Sequence, residues 1–312
     1  MNLWQAATSD LARLAFREGL KYALPVFCIS TSLSQLGILK KYGVRLRKSL
    51  GQHILIDDNV AAKIVDLLNL QPDDGVIEIG PGLGALTRRL APVARQIVAV
   101  EIDRRMASVL RTETESAGNV QVNEANFLKV NIGEITRAYP EVTSWKVVGN
   151  LPYYITSAIL MQLVEAKEHF STAVVTVQEE FARRLVAEPG SKDYSSLSIY
   201  IQYRFRPELR FVIKPASFFP RPDVRSAVVR LAVLERPSLV VRDEGLFFQT
   251  IRAAFGQRRK TLRKSLRKIP GLAPEVMGEL GRMSGVGLDK RPEEVSIDQF
   301  ADLSNAIKEV VG

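Results

Sequence analysis

Residues 75–90 read Gly-Val-Ile-Glu-Ile-Gly-Pro-Gly-Leu-Gly-Ala-Leu-Thr-Arg-Arg-Leu. The first part is a short apolar run with one acid inside it, as in a strand buried on both faces. Three glycines and a proline then forbid its continuation, and Ala85–Leu90 has the composition of a starting helix. A strand that turns through glycines into a helix lets a ligand approach the backbone closely. Ile97–Val100 follows as a second strand with Glu101 at its tip. Asn119–Val122 is a third, leading to Asn126, and Lys146–Gly149 is a fourth. The alternation predicts an α/β fold: a mostly parallel, Rossmann-like sheet with helices on both faces.

The fourth strand runs into Asn150-Leu-Pro-Tyr-Tyr-Ile155, where Pro152 stops both strand and helix. Asn150 and Tyr153 are therefore expected at the carboxyl end of a strand, the end that faces the ligand crevice of an open α/β sheet. A carboxamide, a fixed turn and an aromatic ring suit a flat base bearing an amino group. The amide oxygen and a backbone carbonyl can accept from the amino group while the ring stacks.

The glycine loop alone leaves two cofactors open. Gly80-x-Gly82-x-x-Ala85 satisfies the dinucleotide fingerprint, and Glu101 lies 21 residues past Gly80, where a ribose-binding acid belongs. An NAD enzyme fits that much. Three features favour S-adenosylmethionine. Glu78 precedes the loop and could meet a cationic amino group. No His, Lys or Tyr-x-x-x-Lys pattern for hydride transfer follows the fourth strand. Asn-Leu-Pro-Tyr supplies a base pocket beside the loop.

Farther along, Ser157–Lys167 and Glu179–Ala187 look helical, and Ala173–Gln178 looks like a strand. Leu197–Phe205 and Ser226–Leu234 alternate like strands. Asp57 or Asp58 is placed to cap a helix whose Val60, Ile64, Leu67 and Leu68 share one face. Beyond the Arg236-Pro-Ser linker the pattern is helical. The expected organisation is an extension of unknown role over 1–32, a catalytic domain over 33–234 and a small helical domain over 235–312. The extension bears Arg and few acids, as transit peptides do, but Asp10 and Glu18 count against that reading. It is expected to be dispensable or an artefact of start-codon choice.

The chain has 312 residues and a net charge of +9. Five basic residues fall in 40–48 and eight in 252–268, and neither stretch holds an acid. Without those thirteen the remainder is acidic by four charges. Such local excess is what a polyanion footprint requires. In 252–268, Arg259, Arg263 and Arg267 repeat every four residues, as do Lys260, Lys264 and Lys268, which predicts one cationic face on a helix. Cys28 is the only cysteine, and His53 and His169 lack ligand-spaced partners. No disulfide framework or metal site is expected, and no run of residues is apolar enough for a membrane span.

Taken in order, several motifs resemble the rRNA adenine N6,N6-dimethyltransferases, most closely the small-subunit (16S) branch. They are Gly51-Gln-His-Ile-Leu55, Glu78-Ile-Gly-Pro-Gly-Leu-Gly84, Val100-Glu-Ile-Asp103, Asn150-Leu-Pro-Tyr-Tyr154, Gln178-Glu-Glu, Pro189-Gly-Ser-Lys-Asp-Tyr194, Phe218-Phe-Pro-Arg-Pro222 with Ser226-Ala-Val-Val-Arg-Leu231, and Phe255-Gly-Gln-Arg-Arg-Lys260. The resemblance runs from about Gln35 to the carboxyl end. It implies an S-adenosylmethionine-dependent dimethylation of N6 on two adjacent adenosines in a hairpin loop near the 3′ end of small-subunit rRNA. The implied partner is rRNA in the immature 30S subunit, in the cytoplasm, with the enzyme acting as a monomer.

By that resemblance His53, Leu55, Gly80, Glu101, Asn126 and Asn150 contact the cofactor. Asn150, Leu151, Pro152, Tyr153 and Phe218 act on the base, with Tyr153 and Phe218 on its two faces. Arg258, Arg259, Lys260, Arg263, Lys264 and Arg267 are expected on RNA. His53 stands where the family commonly has asparagine, and Asn126 where it commonly has aspartate. Two alternatives share the fold: a large-subunit (23S) adenine methyltransferase conferring antibiotic resistance, and a non-catalytic ribosome-assembly factor.

Overall fold

The structure, a computed structural model, describes residues 34–311 apart from 48–49, 236–238 and 258–259. The expected extension over 1–32 lies outside the described residues, as do Arg258 and Arg259.

The chain enters through α1 (Gln35–Tyr42) and a two-residue strand β1 (Ile54–Leu55). Helix α2 (Asp58–Asp66) is capped by Asp57, whose carboxylate accepts from Asn59 N and Val60 N. Then come β2 (Asp74–Ile79), α3 (Thr87–Leu90), β3 (Gln96–Glu101), α4 (Arg104–Thr114), β4 (Val120–Glu124), α5 (Ile132–Arg137), β5 (Ser144–Asn150), α6 (Thr156–Glu165), β6 (Thr172–Gln178) and α7 (Glu179–Leu185). The sheet closes with β7 (Phe205–Ile213) and β9 (Ser226–Val233), which follow α8 (Ser196–Arg204) and flank the short β8 (Phe218–Phe219). Helices α9 (Glu244–Phe255), α10 (Leu262–Ser265), α11 (Met277–Ser284) and α12 (Ile297–Val311) complete the chain.

Seven strands form one sheet in the order β4-β3-β2-β5-β6-β9-β7. The first five run parallel, and β9 runs antiparallel to both of its neighbours. Alternate residues of each central strand face opposite layers. Val76, Ile97, Val148 and Val174 pack under α2, α3 and α4, while Ile77, Val98, Val147 and Ala173 pack under α5 and α6. Fully burying one such Val, Ile or Leu side chain contributes about 1.5–3 kcal/mol, so both faces must be covered. The chain leaves β2 toward β3 on one side, and β5 lies on the other. That reversal of winding opens a crevice at the strands' carboxyl ends.

Of Leu197–Phe205, expected as a strand, residues 197–204 belong to helix α8 (Ser196–Arg204), and only Phe205 is in a strand, at the start of β7. Leu197 and Ile201 pack on the sheet cluster, while Ile199 and Tyr203 pack on the carboxy-terminal helices. Two apolar stripes on opposite sides of a helix, two residues out of step, imitate strand alternation. Ser195 settles the choice by forming a capping box with Ser198. The actual strand, β7, lies just beyond. It is the sheet's edge, and so tolerates Pro207 and polar residues on its open side.

The basic stretch also departs from expectation. Helix α9 ends at Phe255, and residues 262–268 form only α10 and a following 3-10 turn. Residues 260–261 are not helical, and Leu262 N and Arg263 N bond to the carbonyls of Lys290 and Leu288 at 2.9 and 2.8 Å, which ties this segment to residues 288–290. The four-residue rows of cations therefore do not lie on one continuous helix.

Leu33–Gly312 form one compact unit. No helix among the described residues is long and apolar enough to cross a membrane.

Candidate active site

The crevice is built from four strand tips. In the parallel pair β2–β5, Ile79 lies opposite Gly149, so Gly80 and Asn150 are the next residues of each strand. A Cβ on Gly80 would stand 3.9 Å from the carbonyl oxygen of Asn150. Gly80 and Gly82 have φ of +63° and +59°, the left-handed region that favours glycine. A Cβ on Gly82 would press on Ile54 Cγ2 at 3.4 Å, so the loop passes under β1.

The cleft between these tips encloses about 1080 Å³, counting the part open to solvent. His53, Leu55, Gly80, Glu101, Asn126 and Asn150, expected around the cofactor, all line it, as do Leu151, Pro152 and Tyr153. Phe218 does not line it. Strand β8 pairs antiparallel with β1, setting Phe218 opposite Leu55 and Phe219 opposite Ile54. Phe218 is turned into the core, 1% exposed, and its neighbour Phe219 points out, 44% exposed. The ring that faces Tyr153 is instead His53, stacked at 5.9 Å between centroids and 24° between planes.

The polar groups are held in place from behind. Asn150 Nδ2 donates to the His53 carbonyl at 2.8 Å. A carbonyl can only accept, so this bond fixes the amide and leaves Oδ1 as its uncommitted acceptor. Tyr153 shares a 2.7 Å hydrogen bond with Ser226 Oγ. His53 Nδ1 lies 2.7 Å from the Pro220 carbonyl, so it carries the proton and donates. Asn126 Oδ1 accepts from Leu128 N at 3.0 Å, which leaves one lone pair and both amide hydrogens for a ligand.

Two buried carboxylates dominate the electrostatics. Glu101 accepts from Gly82 N at 3.0 Å and from Asp103 N at 2.8 Å. Burial pushes its pKa up, and those backbone donors pull against the shift. Glu78 is 1% exposed and accepts from Thr87 Oγ1 at 2.6 Å. Burial drives its pKa up to about 7, and the neighbouring charge of Glu101 adds to the rise. Among the described residues, the lining includes no lysine or arginine. A pyrophosphate would meet two acids and no cation here, whereas a positively charged ligand would relieve both carboxylates. The site thus fits a cationic nucleoside better than a dinucleotide.

Among the residues expected on RNA, Lys260, Lys264 and Arg267 are exposed. Arg263 is half-buried and paired with Asp289 at 3.1 Å. Tyr154, which received no role from the sequence, also lines the cleft and is 60% exposed. Its exposure depends on the turn that carries it, and the residue pattern holds no signal for that.

A family model described as ribosomal RNA adenine dimethylase matches residues 43–309. A curated relative named Ribosomal RNA small subunit methyltransferase A, from Geobacillus kaustophilus (strain HTA426), is 43% identical over 280 residues. That match covers 88% of this chain and 95% of the relative. A protein of the same name from Pelotomaculum thermopropionicum (strain DSM 13744 / JCM 10971 / SI) is 41% identical over 283 residues, covering 88% and 96%. Among solved structures, the 23S rRNA methyltransferase ErmE superposes with a TM-score of 0.63 at 31% identity, covering 82% of this chain and 99% of its own. A dimethyladenosine transferase from Plasmodium falciparum shares the fold, with a TM-score of 0.70 at 23% identity over 82% and 98%. The chain belongs to the ribosomal RNA adenine dimethylase family.

Proposed function

We propose that this chain dimethylates N6 of two adjacent adenosines in a hairpin loop near the 3′ end of small-subunit rRNA, with S-adenosylmethionine as methyl donor. The observation that carries the reading is the fixed amide of Asn150 beside the Gly80 turn. Bound S-adenosylmethionine supplies an electrophilic methyl group on a cationic sulfur. Glu101 would hold the ribose hydroxyls, and Glu78 would face the cationic end. Asn126 would meet the adenine edge, while His53, Leu55 and Gly80 would shape the wall.

The chain's part in the reaction is placement. Adenine N6 is a poor nucleophile because its lone pair is delocalised into the ring. Asn150 Oδ1 accepts one N6 hydrogen and a backbone carbonyl accepts the other, which favours pyramidal nitrogen. The Pro152 carbonyl already accepts from Ile155 N at 3.2 Å and Thr156 Oγ1 at 3.0 Å, so the second acceptor is assigned to Leu151. Tyr153 stacks on the base. Holding N6 about 3 Å from the methyl carbon supplies much of the rate enhancement. The proton becomes acidic once the N–C bond forms, so no strong base is needed. The target must leave its stack to enter, which suits a loop or a flipped base.

The helices beyond residue 235, with Lys260, Lys264 and Arg267 exposed, would bear on the phosphates, and Arg258 and Arg259 extend that basic run. We assign the enzyme to immature 30S subunits in the cytoplasm, acting as a monomer. The curated relatives at 41–43% identity bear the small-subunit name, whereas ErmE, at 31%, is a 23S enzyme. Methylation assays on naked 16S rRNA, immature 30S subunits and 23S rRNA, read by mass spectrometry, test the assignment. Dimethyladenosine confined to small-subunit substrates is expected; transfer to 23S rRNA instead would replace the reading with the large-subunit one.

A further inference from the structure

We propose that Tyr154 is a second stacking platform, at the mouth of the cleft, for the nucleotide adjacent to the target adenosine. The proposal rests on the methyl-transfer reading above and adds a substrate-positioning residue to it.

Tyr153 and Tyr154 are consecutive in a 3-10 turn spanning Tyr153–Ile155. Successive side chains of such a turn diverge by about 120°, so the two rings serve different places. Tyr153 is half-buried and anchored to Ser226. Tyr154 lines the same cleft but is 60% exposed, the most exposed aromatic side chain among the described residues.

The turn is rigid. Ile155 N and Thr156 Oγ1 both bond the Pro152 carbonyl. One side of the Tyr154 ring lies on Gly51, where a Cβ would stand 3.4 Å from Cδ1 and 3.6 Å from Cε1. Gly51 has φ of +58°, so a backbone without a side chain forms the seat. One edge of the ring thus neighbours bare backbone, and most of the side chain is open to a stacking base.

The same rim carries positive charge. Exposed Arg45 and Arg47 precede Gly51; Arg47 N donates to Gln52 Oε1 at 2.7 Å, tying the basic segment to the cleft wall, while Arg47 Nε also lies 3.7 Å from the Asp103 carboxylate, which leaves Arg45 as the freer cation. On this proposal a strand that delivers one base to Tyr153 sets its next base on Tyr154, with the Arg45 segment available to its phosphates. Because an RNA strand has direction, the platform would hold the second adenosine while one of the two reacts, and the flanking nucleotide while the other does.

The test uses a hairpin RNA with the two adenosines in its loop for turnover, and, for binding alone, two versions in which 2-aminopurine, which has no N6 amino group, replaces either the target or the adjacent adenosine. Loss of one base–aromatic stack predicts a rise of about tenfold in KM for the hairpin in Tyr154→Ala, with Tyr154→Trp close to wild type. Quenching of the adjacent 2-aminopurine on binding is expected to disappear in Tyr154→Ala, while quenching at the target position persists. S-adenosylhomocysteine affinity, read by calorimetry, checks that the variant cleft is intact. Unchanged KM and unchanged adjacent quenching in Tyr154→Ala, with normal wild-type turnover, would overturn the platform alone. Absence of methyl transfer by the wild-type chain would overturn the reaction itself and this proposal with it.

Discussion

Asn150 and His53, 97 residues apart in sequence, are joined by a 2.8 Å hydrogen bond from the Asn150 side-chain amide to the His53 main-chain carbonyl. On the proposed reading the bond orients the acceptor for the adenine amino group, and only a donor can make it. Asn150→Asp would place an acceptor against an acceptor and release the side chain. Since a displacement of about 1 Å can cost about a hundredfold in rate, kcat is expected to fall by at least about that factor in Asn150→Asp. Single-turnover methyl transfer measures it, and KM for RNA should change little.

Glu78 makes stability depend on pH. Its carboxyl has an ordinary pKa of 4.5 in the unfolded chain and about 7 in the fold. Between those values the native state keeps a proton that the unfolded state has lost. This contribution is therefore fully present below 4.5 and declines as pH rises through about 7. Its full extent is on the order of 3 kcal/mol. Glu78→Gln stays neutral and can still accept from Thr87. Its melting temperature is expected to vary less than wild type across that window, as followed by circular dichroism. A parallel pH profile for the two proteins would contradict the assignment.

The glycine loop can be tested through Gly84. It has φ of +81°, and an added Cβ would sit 2.6 Å from Leu110 Cδ1. Gly84→Ala combines backbone strain of about 1–2 kcal/mol with overpacking of about 1–3 kcal/mol. A clear drop in melting temperature is expected, whereas Gly43→Ala has open space and bears the backbone term only.

Much of this arrangement was legible in the sequence. Central strands are buried on both faces, so they read as continuous apolar runs, and the glycine or proline at their ends marks Gly80 and Asn150 as strand-tip residues. The misreadings share a cause in packing. Leu197 and Ile201 face the sheet while Ile199 and Tyr203 face the helices, so a doubly buried helix carries a strand's alternation. Phe218 and Phe219 are chemically identical, and only the pairing of β8 with β1 decides that Phe218 goes inward. The broken basic helix depends on bonds from Leu262 and Arg263 to residues 288–290, a long-range contact that local pattern does not carry.

Exposed Lys260, Lys264 and Arg267 predict a salt effect without a chemical one. Reversing Lys264 and Arg267 to glutamate should weaken RNA binding and flatten the plot of log affinity against log salt. The slope should lose about 0.7–0.9 for each phosphate contact removed. Filter binding across a salt series checks this; an unchanged slope would place the RNA elsewhere.

On the proposed reading Asn150 presents an adenine N6 to a methyl donor held against the Gly80 turn. Asn150→Ala tests it most directly when hairpin methylation by mass spectrometry is paired with calorimetric binding of S-adenosylmethionine. The account predicts a folded variant that still binds S-adenosylmethionine and forms no dimethyladenosine. Dimethylation at the wild-type rate in that variant would contradict it.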